Sequence, residues 1–324
     1  MAGGDAMSRY ARQTILPQVG ETGQQRLARA RVLVVGAGGL AAYALPLLAG
    51  AGVGHVTVVD DDTVFLSNLH RQTLFTEGDC GKAKAEVAAN RCRALNAQIT
   101  VEARCCRVTP ANAPGMIAPV DLVLDCADSY AVSYLLSDLC LARGTPLISA
   151  SVLGLGGYVG GFCGGAPSLR AVFPDAPDSG ASCASAGVLG PVVGVIGAMQ
   201  AQMALSVLLG LSPTPLGQLV NLDAQTLATS GFRFDAASEP ATGFAFVAAS
   251  DLTADDLIVE LRGPDEAPVL LHPAARRLNP DQITDTGARR LALCCGTGLR
   301  AWRAAETLHR TWPGEIVLVS ASAC

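Results

Sequence analysis

Two groups of residues in this 324-residue chain have types and spacing that could do chemistry. The first starts at a glycine turn, Gly36-Ala-Gly38-Gly39-Leu-Ala41, between an apolar run at 32–35 and an apolar segment reaching about Gly52. A strand, glycine turn and helix in that order aim backbone N–H groups and the positive end of the helix dipole at a phosphate. Asp60 ends the next apolar run about 24 residues on, a distance that suits a carboxylate accepting ribose hydroxyls. Taken alone, the pair says only that a nucleotide binds, and an NAD-dependent dehydrogenase fits it equally well.

Further along stand Asp62, Asn68, Arg71, Lys84 and Asp128, with Arg9, Arg12 and Gln13 near the N-terminus. A dinucleotide needs little beyond backbone amides for its pyrophosphate. A triphosphate also calls for several cations and a carboxylate for a metal ion. Each cation taken singly reads as an ordinary solvated surface charge. Their joint occurrence just beyond the expected strand ends points to the triphosphate. The second group is Cys295-Gly-Thr-Gly-Leu-Arg300, a tight loop between an expected strand at 291–294 and a helix at 301–309. Such a loop places a thiol in a cup of backbone N–H groups, which stabilises a thiolate or persulfide. Alternation along the strand sends Cys294 to the opposite side. The plainer alternative is a buried strand cysteine before a glycine turn.

These residues need a scaffold, and the hydropathy pattern supplies one. Expected strands at 32–35, 55–60, 99–103, 121–125 and 146–150 alternate with helices at 82–95, near 110–117 and at 131–142. This is the pattern of a doubly wound, mostly parallel sheet. After about Gly154 the pattern turns antiparallel, with strands expected at 156–163, 169–173, 217–223 and 226–234. A loop of small residues at 175–186 precedes a long apolar helix. Residues 235–241, rich in Ala, Ser, Glu, Pro and Thr, read as a linker. The expected organisation is one α/β domain over 1–234, a linker over 235–242 and a smaller α/β domain over 243–324.

Composition narrows the options. Half the residues are hydrophobic and 16% charged, enough to bury a core and inconsistent with global disorder. The net charge of −5 offers no broad basic surface, so nucleic acid is not an expected partner. Eleven cysteines without a Cys-x-x-Cys pair, several inside apolar runs, suit a reducing cytoplasm better than a disulfide framework. The polar stretch 1–12 has no secretory h-region. Residues 188–211 are apolar enough for a membrane span, but Pro191, several glycines, Gln200 and Gln202, and the lack of basic flanks favour a buried or subunit-interface helix.

Taken in order, Arg9-Tyr-x-Arg12-Gln13, Gly36-x-Gly-Gly39, Asp60-x-Asp62-x-Val64, Ser67-Asn-Leu-x-Arg-Gln72, Gly81-x-x-Lys84, Asp125-Cys-x-Asp128 and Cys183-Ala-x-Ala-Gly187 resemble the MoeB/ThiF/HesA family, bacterial relatives of ubiquitin-activating enzymes. The likeness covers roughly residues 8–234. It implies that ATP adenylates the C-terminal glycine of a ubiquitin-like, β-grasp sulfur-carrier protein ending in Gly-Gly. It further implies that Gly36, Gly38, Gly39, Asp60 and Asp62 hold the nucleotide, with Asp60 on the ribose. Asn68, Arg71 and Lys84 would take the phosphates and Asp128 a Mg²⁺ ion. Arg12 would reach the neighbouring subunit's site in a homodimer. Cys183 matches a cysteine that in some members links covalently to the carrier, although a small loop-packing residue is the simpler reading. The second group, with Val259-Glu-Leu-Arg262 and His272-Pro-Ala274, resembles a shortened rhodanese domain, which implies sulfur delivery from a donor such as a cysteine desulfurase.

Two departures matter. Ser168 and Ala171 stand where family members commonly carry a zinc-binding Cys-x-x-Cys pair, and no second pair follows Phe234, so zinc is expected to be absent. Ser129 follows Asp128 where asparagine is usual. A non-catalytic scaffold with a degenerate C-terminal domain is the alternative to an enzyme.

Overall fold

The structure is a computed structural model that describes residues 3–175, 187–241, 243–284 and 287–321. Helices α1 (Gly3–Thr14) and α2 (Gly20–Arg29) lead into β1 (Arg31–Val35), α3 (Gly39–Ala51) and β2 (His55–Val59). There follow α4 (Lys84–Leu95), β3 (Thr100–Arg104), α5 (Ala113–Ile117), β4 (Leu122–Asp125), α6 (Tyr130–Arg143) and β5 (Pro146–Leu153). These strands make a parallel array in the order β3-β2-β1-β4-β5. Their near-continuous Val, Leu and Ile runs suit strands covered on both faces. The sheet then continues antiparallel through β6 (Gly156–Cys163), β7 (Gln218–Asp223) and β8 (Ala228–Arg233). The strand order reverses between β1 and β4, and the crevice beyond their C-terminal ends is where such sheets bind ligands.

One expected strand is absent. Residues 169–173 form a short helix, α7 (Leu169–Val172), in place of a fourth antiparallel strand. The Ser168 hydroxyl accepts the Arg170 N–H at 3.1 Å, an N-cap, and Leu169 and Arg170 are both buried, which a strand's alternation would not allow. Among the described residues, α8 (Gly190–Leu209) is the one helix long and apolar enough to cross a membrane. It packs against α3 and against β5 and β6, burying Val192, Val193, Ile196, Ala201 and Ala204. Burial inside the fold accounts for its apolar composition.

A second, wholly parallel sheet has the order β11-β10-β12-β13-β9 and comprises β9 (Ala245–Phe246), β10 (Asp256–Glu260), β11 (Arg276–Arg277), β12 (Arg290–Cys295) and β13 (Glu315–Ser320). Helix α9 (Leu299–Leu308) covers one face. Its Trp302, 2% exposed, meets Tyr130 and Tyr134 of α6 and Phe244 and Phe246 in edge or tilted ring contacts with centroids 4.8–6.4 Å apart. The core on the α6 side of the first sheet therefore runs without a break into the second. Buried Arg170 ties the same junction. Its Nε and Nη2 donate to Asp138 at 2.6 and 2.8 Å, Nη2 also reaches the Phe244 carbonyl at 3.0 Å, and its guanidinium lies over Trp302 at 5.0 Å. The nine described cysteines are all free.

Candidate active site

A cavity of about 620 Å³ opens at the strand reversal, lined by residues just past the C-terminal ends of β1, β2 and β4, by the last residues of β5, and by side chains from the connecting segments and α8. Gly36, Gly38 and Gly39 form one wall, Asp60, Asp61 and Asp62 the next, and Cys126, Ala127 and Asp128 the third. Arg71, Gln72, Lys84 and Arg107 supply further polar groups. Gly36 has φ +91°, and a Cβ there would stand 2.6 Å from the Cys126 carbonyl, so both the turn and the close approach require glycine. The next amide, Ala37 N–H, donates to Asp60 Oδ2 at 2.6 Å, and Asp62 N–H donates to Oδ1 at 2.8 Å. Burial pushes the Asp60 carboxyl above its ordinary range, while these amides and Lys84 pull it down.

Lys84 begins α4 and is buried, with Nζ 2.5 Å from Asp62 Oδ2. The loop leading to it is held by Asp79. That carboxylate accepts Thr76 Oγ1 at 2.8 Å and the Thr76 N–H at 3.0 Å, and pairs with Arg91 at 2.9 Å and Lys82 at 3.2 Å. Asp125 is wholly buried, accepts Ser149 Oγ at 2.7 Å, and is pushed up by its burial. The strand ends meet Gln200 of α8, whose amide donates to the Asp125 and Ile148 carbonyls at 2.6 and 3.2 Å. The one buried polar side chain of that apolar helix thus holds two walls of the cavity.

The structure gathers Gly36, Gly38, Gly39, Asp60, Asp62, Arg71, Lys84 and Asp128 around this space. Asn68 and Arg12 do not line it. Asn68 instead receives the Phe65 N–H at 3.4 Å, and Arg12 is exposed on α1. Tyr10 and Gln13 of the same motif anchor α1: Tyr10 Oη accepts from Asn96 at 2.8 Å and Gln13 donates to the Ala51 carbonyl at 2.8 Å. Cys183 lies outside the described residues. Gln72, Gln200 and Arg107 are site residues that sequence reasoning did not assign. Gln72 and Gln200 carry a legible signal, an amide inside an apolar or turn context, but their targets are set by packing alone.

The cavity fits a nucleotide on two counts. Gln72 is 4% exposed, yet its Oε1 has no hydrogen-bond partner among the described residues, an acceptor available to a ligand's donor. Gly38 has open space where a Cβ would project, with Gln72 Nε2 the nearest atom at 3.7 Å, which leaves room for a phosphate at the helix start. Exposed Asp128 lines the same cavity and is a hard oxygen donor of the kind Mg²⁺ takes.

The second group behaves differently. Cys295 Sγ accepts the Gly298 and Ala301 N–H groups at 3.1 and 3.4 Å, so the amide cup is present. The thiol is only 1% exposed and belongs to the core that continues into the first sheet, while Cys294 belongs to the core of the opposite face. Gly298, at φ +91°, has the Tyr130 hydroxyl 2.9 Å from where a Cβ would stand. Arg300 is paired with Glu266. Ser168 donates from its N–H to Glu239 at 2.7 Å and from its hydroxyl to the same carboxylate. Among the described residues no cluster of three or more His, Cys, Asp or Glu side chains is placed to hold a metal ion.

A glycine turn, a carboxylate at the next strand end and a buried lysine at a parallel-sheet crevice are the features of a nucleotide-binding α/β protein. The chain belongs to the ThiF family, whose sequence pattern matches residues 10–242. It is 45% identical over 228 residues to the sulfur carrier protein adenylyltransferase of Thermus thermophilus, covering 68% of this chain and 84% of that one. Against the SAMP-activating enzyme E1 of Haloferax volcanii it is 40% identical over 223 residues, 68% of this chain and 83% of that one. An adenylyltransferase and sulfurtransferase of Sus scrofa is 43% identical over 223 residues, and there the match spans only 49% of the relative. The E. coli MccB structure with ATP shares the fold, with a TM-score of 0.61 and 20% identity over 70% of this chain and 72% of that one. The family match sets the dehydrogenase reading aside.

The Asp79 contacts generate a pH prediction. Hydrogen bonds from Thr76 first, with the Lys82 and Arg91 pairs, hold this carboxyl below its ordinary value of 3.8. A depressed carboxylate contributes stability that is present above its unfolded value and is lost as pH falls through the folded one. Asp79→Asn is therefore expected to be less stable than the parent at pH 7, with the difference shrinking below about pH 4. Urea denaturation across that range measures it, and a pH-independent difference would mean that the loop is held by packing.

Proposed function

We propose that this chain adenylates the C-terminal glycine carboxylate of a ubiquitin-like, β-grasp sulfur-carrier protein ending in Gly-Gly. The observation that carries the reading is the grouping of Arg71 and Lys84 with Asp60 and Asp128 around the glycine turn, in a family whose relatives bear adenylyltransferase names. A carrier carboxylate oxygen attacks the α-phosphorus of ATP and the bond to the β-phosphate oxygen breaks. Pyrophosphate leaves, and a mixed carboxylic-phosphoric anhydride remains. Both reactants are anions, so the protein's part is positioning and charge. The Ala37 N–H holds the Asp60 carboxylate ready for the ribose, and Arg71 and Lys84 screen the phosphates. Asp128, with water, would hold Mg²⁺, which supplies further charge neutralisation when bound. An open groove of about 370 Å³ shares Ser151 and Leu153 with the cavity and runs along Gly156, Gly157 and Asn221. A narrow, side-chain-poor tail such as Gly-Gly suits that approach.

Arg12, exposed on α1, is assigned to the neighbouring subunit's site in a homodimer. Exposed Phe65, Leu66 and Leu189 support a covering partner. Lys84→Ala is expected to reduce carrier-dependent ATP–pyrophosphate exchange by roughly 10²–10³ while leaving the fold intact, since it removes a cation aimed at developing charge. Exchange at the parent rate would overturn the phosphate assignment. Mixing inactive Lys84→Ala with inactive Arg12→Ala subunits should restore roughly a quarter of the activity, because half the dimers then carry one intact composite site. No recovery would place Arg12 in its own subunit's site or outside the reaction.

Zinc is proposed to be absent. The Ser168 and Ala171 positions lack thiolates, and the Ser168–Glu239 hydrogen bonds support a join between these two segments that needs no metal. Elemental analysis of protein purified without chelator should find well under one zinc per chain.

A second activity rests on the amides around Cys295. Sulfur supplied by a donor such as a cysteine desulfurase is expected to load Cys295 and not Cys294, as a mass gain of about 32 Da on one peptide. The thiol's burial makes loading slow unless the interface with α6 opens. If neither cysteine is modified under conditions that load an intact rhodanese, the second sheet serves docking alone and sulfur comes from another protein.

A further inference from the structure

Among the described residues three cations line the nucleotide cavity, and Arg107 is held unlike the other two. Arg71 lies against the glycine turn, its Cγ 3.7 Å from where a Cβ on Gly39 would stand, and Lys84 pairs with Asp62. Arg107 comes from the loop after β3. The Asp60 N–H donates to the Arg104 carbonyl at 3.2 Å, so this loop stands next to the ribose carboxylate on the side away from β1. Across the sheet edge the order is glycine turn, Asp60, Arg107, and a nucleotide laid phosphate-first on the turn brings its base to Arg107.

The guanidinium is bonded along its edge. Nε and Nη2 donate to Asp61 Oδ2 at 3.0 and 2.9 Å, and Nη1 donates to the Ala321 carbonyl at 3.3 Å. The edge donors are engaged by Asp61 and the Ala321 carbonyl, so the planar face is the part of Arg107 left to meet a ligand. The side chain is 44% exposed, and the planar face of a guanidinium stacks on aromatic rings. Ala321 directly follows β13 of the second sheet. Resting on the nucleotide-site reading above, we propose that Arg107 stacks on the purine base and that the second sheet, through the Ala321 carbonyl, sets the orientation of its plane. The C-terminal unit is then part of the nucleotide site, whatever the fate of Cys295.

The test uses the full chain, Mg²⁺ and two probes: the non-hydrolysable ATP analogue with a β,γ-methylene bridge, and inorganic tripolyphosphate, which has the phosphates without the nucleoside. In titration calorimetry, Arg107→Ala should weaken the analogue about tenfold and change tripolyphosphate less than about twofold, whereas Lys84→Ala should weaken both. Equal losses for both probes in Arg107→Ala would make Arg107 a phosphate cation, and no loss for either would remove it from the site. Each result overturns the proposal. A parent protein that binds neither probe overturns the nucleotide site itself, and the inference with it. Hydrogen exchange tests the second half. The analogue should protect residues 317–321 in the parent and not in Arg107→Ala. Unchanged exchange there in the parent would show that the second sheet takes no part in nucleotide binding.

Discussion

The 2.6 Å hydrogen bond from the Ala37 N–H to the Asp60 carboxylate joins the turn after β1 to the end of β2. It constrains most of what surrounds it. A half-buried carboxylate at a strand end carries a desolvation cost unless donors meet it, and here one donor comes from the glycine turn itself. The turn then requires the left-handed conformation of Gly36, because the Cys126 carbonyl closes the space where a side chain would go. With turn and carboxylate fixed relative to each other, helix α3 begins with its free amides facing the crevice. The strand order reverses at the same place, so the walls from β4 and β5 face the same opening.

Charge in the cavity is balanced locally before any ligand arrives. Lys84 is paired with Asp62 and Arg107 with Asp61. On the proposed reading, the phosphates of a bound nucleotide would compete with Asp62 for Lys84. The neighbouring Gln72 acceptor and the open side of Gly38 belong to the same preparation, polar capacity left unused by the protein.

At the junction between the two sheets, polar contacts surround Ser168 and Arg170. Ser168 caps α7 and ties to Glu239, and Arg170 two residues later pairs with Asp138 while its guanidinium lies over Trp302. The junction is thus a join made of hydrogen bonds, an ion pair and aromatic packing. The same join places Cys295 under Tyr130, inside a continuous core. The amide cup that would stabilise a sulfur anion and the burial that keeps donors away coexist at one residue. The first follows from a local loop, the second from a contact across the chain.

What the sequence determined by itself is local. Alternating apolar runs and glycine turns marked the parallel strands and their helices. Asp60, Arg71, Lys84 and Asp128 were legible because each sits at a fixed short distance from an element end. The Cys294 and Cys295 side chains take opposite faces because a strand's period is two. The tertiary structure decided the rest. Leu169–Val172 became a helix through a Ser168 cap and two-sided burial, against an apolar pattern that reads equally as strand. Gln200 bridges to Asp125 from the middle of an apolar helix, and Arg107 joins the nucleotide cavity to Ala321, far along the chain. Asn68, part of a motif, accepts a neighbouring backbone amide and does not line the cavity. In each case the partner is remote in sequence or selected by packing. Hydropathy period and turn chemistry report the nearest few residues, while the identity of a distant partner is set only when helices and sheets close on one another and each buried polar group must find what lies within reach.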